Sequence, residues 1–373
     1  MAETNFTRLT TNEKLVWSRD LWKQARNLAF TTKFLGEGPN SMIQHIKELT
    51  KTEKGTKAVM TLVPDLEGDG VAGDRTLKYN EEQIKAFDKT IQIDQLRNAN
   101  KSEGRMAEQR SIVRFRETSR DVLAYWLADR TDQLAFLTLS GVAYSMKNNG
   151  QARVGSDLVN LAFASDVAAP SAARKLYWNS VNKSLDVNGA TSSVTAADIP
   201  TYDMLVLLKA YLKNNYIRGI REGGEETYHI FMSPLAMAKL KLDERYLKNL
   251  QLAEKRGNDN PVFTGSTVKI DNLYLHEFRH VYNTSGAASG SKWGAGSAID
   301  GCQVLACGAQ AMGMADIGVP EWVEKDDDYE NQQGIAIGKI FGFLKPSFYT
   351  QYGVSTYAQT TQDFGVVSVY CAQ

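Results

Sequence analysis

Apolar residues near the start of the chain recur at three- and four-residue spacing. Leu15, Leu21, Trp22, Ala25, Leu28 and Ala29 fall on one face and predict a helix over residues 12–35, stopped by Gly36. A second short helix is predicted over Ser41–Leu49. The pattern then changes. Lys57–Val63 is rich in strand formers, and Thr90–Asp94 alternates like a strand. Between them Pro64–Asp74 carries turn chemistry with few apolar residues, so the pair reads as a long hairpin with a glycine-rich acidic tip. An isolated hairpin is marginal in water, so this one is expected to rest on another surface.

From Ser102 to Leu139 the helical period returns, with Ile112, Phe115, Val122, Leu123, Trp126 and Leu127 on one face. A helix of some 35 residues would be ~50 Å long, the length of a structural spine. Residues 140–200 read as irregular, 203–212 as a helix and Glu226–Met232 as a strand. Ser233 then caps a helix that has Pro234 at its first position and runs to about Arg256. Strand text follows at 267–282, 303–306, 335–345 and 363–371, with a Gly/Ser-rich loop over Ser285–Gly296. The first and last regular segments flank a middle block, which predicts interleaved domains of an α+β fold. No internal repeat is visible.

Charge changes this picture more than composition does. The 373 residues hold 43 Lys+Arg and 43 Asp+Glu, a net charge of zero, with 43% hydrophobic residues. A neutral chain excludes a protein that grips nucleic acid with a broad basic surface, and this apolar fraction excludes intrinsic disorder. The balance is uneven along the chain. Residues 1–57 carry ten basic and six acidic residues, a local +4, whereas 65–94 carry four basic and eight acidic, a local −4. The acidic run Glu324–Glu330 reads as a solvated or interface-facing segment. Three cysteines, Cys302, Cys307 and Cys371, are too few for a disulfide framework and point to buried thiols in a reducing compartment. The start of the chain lacks the pattern of a signal peptide, and no apolar stretch approaches the ~18 residues of a membrane span. Cytoplasmic synthesis without a membrane is therefore expected.

Candidate chemistry is sparse. His276-Glu277-Phe278-Arg279-His280 matches the H-E-x-x-H pattern of zinc peptidases, which needs both imidazoles on one helix face. Here the surrounding text alternates as a strand, where positions i and i+4 lie ~13 Å apart, and no third ligand follows nearby. A peptidase using His276, Glu277 and His280 is the rival reading, and an aromatic and imidazole strand face is the preferred one. Asp65-x-Glu67-x-Asp69-Gly70 resembles the start of a calcium loop, but Thr76 stands where a bidentate Glu is needed. Gly334–Lys339 resembles a phosphate loop with one spacer too few, and its glycines read as marks of close strand packing. No catalytic, cofactor-binding or metal residue is assigned, and no cofactor is expected.

The order of elements is more specific than any motif. Local text agrees with it at Thr90–Asp94 (TIQID), Gly104–Arg110 (GRMAEQR), Leu123–Ala128 (LAYWLA) and Leu137–Gly141 (LTLSG). It agrees again at Phe231–Pro234 (FMSP), Asn260–Gly265 (NPVFTG), Ala306–Ala311 (ACGAQA), Asp328–Asn331 (DYEN), Gly338–Gly342 (GKIFG) and Asp363–Val367 (DFGVV). Taken together the chain resembles the major capsid proteins of tailed bacteriophages, of the podovirus type. The resemblance implies the tailed-phage capsid fold. Its parts would be an N-terminal arm (1–56), an extended β-hairpin loop (57–100), a peripheral domain with the spine helix (101–140), an axial domain (141–312) and a return to the peripheral domain (313–373). It implies a structural, non-enzymatic subunit that self-assembles as hexamers and pentamers into an icosahedral shell around double-stranded DNA. Scaffolding, portal and decoration proteins would be further partners, and the virion capsid, made in the host bacterial cytoplasm, the location. An encapsulin-like compartment shell is the alternative on the same fold. The −4 hairpin is expected to meet a basic surface on an adjacent copy, with the +4 N-terminal segment the leading candidate.

Overall fold

A computed structural model describes residues 19–25, 28–47, 55–63, 66, 69–84, 86–110, 114–187, 189–252, 268–350 and 360–373. Two sheets organise them, joined by one long helix. The six-stranded sheet is built on Gln332–Leu344. Along residues 334–341 that strand takes Asp94–Lys101 antiparallel. Along its other edge it takes Glu321–Asp327 and then Met312–Asp316. Ile43–Ile46 adds to Met312–Asp316 in parallel, and Leu35–Gly36 completes the sheet. The eight-stranded sheet centres on Gly301–Cys307 and Val366–Ala372, in which every residue is buried. Uninterrupted burial explains why these two strands read as apolar runs without alternation. Glu225–Met232 and Leu273–Glu277 extend that sheet on one side, and Lys175–Asn179 and Ser184–Asp186 on the other.

The helix Phe115–Ser140 joins the two. Its first half contributes Leu123, Ala124 and Leu127 to a small core with Leu21, Ala25, Trp322, Ile335 and Ile337. Its second half sends Leu134 to Leu139 into the main core with the eight-stranded sheet. It ends where Gly141 turns left-handed (φ 67°), a position where a side chain would meet the Ala168 carbonyl at 2.3 Å. The expected single spine over 102–139 is thus two helices, Arg105–Arg110 and Phe115–Ser140, with Arg114 in an extended conformation before the second. At ~1.5 Å per residue the 26-residue helix is still long enough to run past both cores.

The expected helix over 12–35 is shorter as well. Residues 19–25 are helical, those before them lie outside the described residues, and the chain turns at Thr31–Phe34 into the strand Leu35–Gly36. A buried carboxylate from the spine helix causes the turn. Asp132 accepts hydrogen bonds from the Phe30 and Thr31 amides, at 2.8 and 3.0 Å, and from the Thr31 hydroxyl at 2.6 Å. Ser41–Leu49, expected as a helix, holds the strand Ile43–Ile46, because Ile43 and Ile46 bury against the sheet that Met312–Asp316 offers. The helix expected to run from Pro234 to Arg256 divides into Pro234–Lys241 and Glu244–Leu252. At the break Asp243 accepts from the Tyr202 amide at 2.8 Å, at the start of the helix Tyr202–Asn214. Residues 140–200, expected to be irregular, supply two strands of the larger sheet.

The hairpin pairs Lys57–Leu62 with Phe87–Gln92, and Ala58, Met60 and Leu62 face inward. Its base packs with Ile46, Ile91, Ala315 and Phe364. Beyond the base, the described residues from Val63 to Ala86 project without strand pairing.

Candidate functional site

The H-E-x-x-H residues are dispersed to three different partners. His276 lies on the strand Leu273–Glu277, as the alternation predicts, in register with Phe231 of the neighbouring strand. Its Nε2 is 2.9 Å from Nδ1 of His229, and the two rings sit among Phe34, Phe231 and Tyr274. Burial pushes both imidazoles down to about 4, so each is neutral at pH 7. The strand ends at Glu277, whose carboxylate accepts from Lys241 at 2.9 Å. His280 sits on the turn beyond, with Nε2 2.8 Å from Asp129 of the spine helix. The same carboxylate accepts from Arg279 at 2.6 Å, and the hydrogen bond to His280 holds Asp129 below the usual carboxylate range. Two imidazoles pledged to different elements do not converge on one ion. Among the described residues no group of three His, Cys, Asp or Glu side chains is placed to hold a metal, and no helix is long and apolar enough to cross a membrane.

The cysteines and the glycine run become packing features. Cys302, Cys307 and Cys371 are free and buried, with Cys302 opposite Cys371 across two strands. Asp65 and Glu67 of the calcium-like run lie outside the described residues, and Thr76 forms a local turn with Lys78 and Asn80. Gly334–Lys339 lies within the long strand Gln332–Leu344. Its last residue has a role that the motif does not disclose. Lys339 is buried, donates to Asp316 at 2.7 Å and to the Gly318 carbonyl at 3.1 Å, and sits 3.3 Å from the centre of the Trp22 ring. A single charge inside the apolar run Ile335–Leu344 was the available signal.

What remains as a site is surface. The part of the hairpin beyond its base exposes Val63, Leu66, Leu77, Tyr79 and Ile84, with Tyr79 87% and Ile84 67% accessible. Among the described residues nothing covers these large apolar side chains, and exposed apolar patches mark protein interaction. The fold therefore defines a structural subunit whose binding surface is carried on an arm.

Comparison with known proteins agrees with that class. Residues 5–373 match the profile of a family described as phage capsid protein. The chain is 59% identical over 370 residues to the major capsid protein of Pseudomonas phage KPP25, covering 99% of this chain and 97% of that one. Among solved structures, the capsid of Ralstonia phage GP4 superposes with a TM-score of 0.70 at 26% identity, over 92% of this chain and 90% of that one. The capsid of cyanophage Pam1 shares the fold, with a TM-score of 0.69 at 16% identity over 100% and 96% of the two chains. The chain belongs to the phage capsid protein family. It is a major capsid protein, a non-enzymatic structural subunit of a multimeric virion shell; the zinc-peptidase and encapsulin-like readings find no support.

Proposed function

We propose that copies of this chain, as hexamers and pentamers, tile an icosahedral shell around double-stranded phage DNA. The subunit is made in the cytoplasm of the host bacterium and works with portal, scaffolding and decoration proteins. Residues 1–56 act as an N-terminal arm, 57–100 as the extended loop, 101–140 and 313–373 as the peripheral domain and 141–312 as the axial domain. The observation that carries this reading is the hairpin: Leu66, Leu77, Tyr79 and Ile84 are exposed on it, and laying it across a neighbouring copy buries them. Neutral net charge suits a container that encloses DNA without gripping it, since tight binding needs many cationic contacts to phosphate.

Size-exclusion chromatography and negative-stain microscopy of the expressed chain test the reading. Megadalton particles or capsomer rings are expected. A stable monomer of 41.4 kDa under all assembly conditions would overturn it.

A further inference from the structure

A second surface, apart from the exposed hairpin tip, carries a knob and a groove side by side. The knob is the turn between Glu321–Asp327 and Gln332–Leu344. Asp328, Tyr329 and Glu330 are all left-handed there, with φ of 53°, 50° and 66°, a conformation that non-glycine residues keep only where the surroundings impose it. The surroundings tie the turn at several points. Asn331 accepts from the Arg105 amide at 3.3 Å and donates to Asp328 at 3.3 Å, Gln332 donates to the Glu103 carbonyl at 3.2 Å, and Lys101 pairs with Asp327 at 3.2 Å. The braced turn presents Tyr329 fully exposed, at 103%.

The groove begins at the same lip. It lies between residues 99–108 and the first turns of the spine helix, lined by Ala99, Ala107, Phe115, Thr118 and Val122, with a volume of about 580 Å³. That is ample for an aromatic side chain. Val122 is 50% exposed on its rim. The two surfaces are opposite in charge: residues 321–330 carry six acidic and one basic residue, a net −5, and residues 97–120 carry seven basic and three acidic, a net +4. Within one chain this attraction already draws Glu324 to Arg116 at 3.2 Å and Glu330 to Arg105 at 3.9 Å.

We propose that Tyr329 of one copy seats in the groove beside Val122 of the next, guided by the acidic turn against the basic strip. A knob and a hole that share an edge are brought together by a rotation about an axis near that edge, and such a head-to-tail contact generates a ring where the rotation closes. A buried tyrosine anchor with a charged surround has the composition of an interface hot spot. The proposal rests on the shell reading.

Its test is a disulfide between copies. The three native cysteines are buried, so Tyr329→Cys/Val122→Cys particles that are mildly oxidised should run as a reducible ladder of multimers on a denaturing gel. Each single variant should stay monomeric. Wild-type assembly with double-variant particles that remain monomeric on that gel would overturn the contact and leave the shell intact; absence of wild-type particles would instead remove the shell reading. A reducible dimer from Tyr329→Cys alone would place knob against knob and also overturn the pairing. A second measurement needs no new bond. Tyr329→Ala particles should dissociate at a lower temperature than wild type while the isolated subunit melts unchanged, and equal dissociation temperatures would sink the proposal.

Discussion

Lys339 donates to Asp316 across 2.7 Å with the two side chains 1% and 5% exposed, and the Trp22 ring closes over the ammonium at 3.3 Å. The pair joins three parts of the sequence: the helical residues near the N-terminus, the strand Met312–Asp316 and the long strand Gln332–Leu344. Removing one partner of a buried pair strands the other charge and costs about 3–5 kcal/mol. Lys339→Met is therefore expected to lower subunit stability by that order. Lys339→Met/Asp316→Leu should recover most of the loss, because apolar replacement of both partners removes the stranded charge. Chemical denaturation of the unassembled subunit reads both, and equal losses in the single and double variants would refute a role for the pair.

The exposed hairpin residues separate folding from assembly. Leu77, Tyr79 and Ile84 bury little within the subunit, and surface substitutions away from packed features change stability by within about 0.5 kcal/mol. Leu77→Ser/Tyr79→Ser/Ile84→Ser should melt like wild type and fail to form particles. Normal particle yield from this variant would mean that the loop does not supply the contact between copies.

Charge reversal probes how the hairpin finds its place. Changing Lys47, Lys51, Lys54 and Lys57 to Glu inverts the +4 segment that would face the −4 hairpin. Assembly should slow at low salt and approach the wild-type rate as salt screens the repulsion over a Debye length of ~8–10 Å. Light scattering during assembly measures this, and rates equal to wild type at low salt would end the pairing idea. In the subunit Lys47 already bonds to Glu37, so the reversal of Lys47 also needs Glu37→Lys as a compensated control.

These tests fall on features that differed in how far the sequence disclosed them. The α+β order, the hairpin and the buried strands near the C-terminus were legible because local periodicity and burial agree there. At Ile43–Ile46 the local helical spacing is overridden by tertiary pairing, because the strand partner lies at Met312–Asp316, far along the chain. The N-terminal helix was read too long because Asp132, 102 residues away from Phe30, captures the amides that would have continued it. Strand alternation at 273–277 correctly set the zinc motif aside. It also implied a strand through His280, whereas the chain turns at Arg279 and His280 to meet Asp129. The Gly334–Lys339 text does not disclose that Lys339 is a buried ion-pair partner of Asp316, since a lone lysine in a strand gives no hint of its partner.

Acid stability should report the imidazole pair. His229 and His276 ionise near 4 in the folded subunit and near 6.5 when unfolded. The unfolded chain therefore takes up protons first as pH falls. The stability these two contribute is complete above about 6.5 and is lost between there and about 4, at about 1.4 kcal/mol per pKa unit. Glu222 opposes the shift of His229, and Lys33 reinforces that of His276. His229→Phe/His276→Phe places two rings in the same aromatic nest and should flatten the melting-temperature profile between pH 6.5 and 4 relative to wild type. Parallel profiles would assign the acid sensitivity to other groups.

Gly342 fixes the hairpin to the sheet, and its replacement gives the most local test of that coupling. A side chain there would meet the Gln92 carbonyl at 2.0 Å, in backbone that cannot turn aside as a flexible side chain can. Gln92 is the last residue of the second hairpin strand, and its side-chain Nε2 also donates to Asp166 at 3.2 Å. Gly342→Ala must therefore push the hairpin base outward, with the ~1–3 kcal/mol cost usual for overpacking. Gly334→Ala on the same strand is the control, since its nearest neighbour would be 3.3 Å away. Hydrogen exchange should quicken across residues 57–62 and 87–92 in Gly342→Ala, stay near wild type in Gly334→Ala, and leave the fully buried strands Gly301–Cys307 and Val366–Ala372 protected in both. Particle yield should fall with the first substitution alone, because the displaced base aims the exposed tip away from its partner. Unchanged exchange at the hairpin base in Gly342→Ala would mean that the base does not rest on the sheet in solution as it does in this fold.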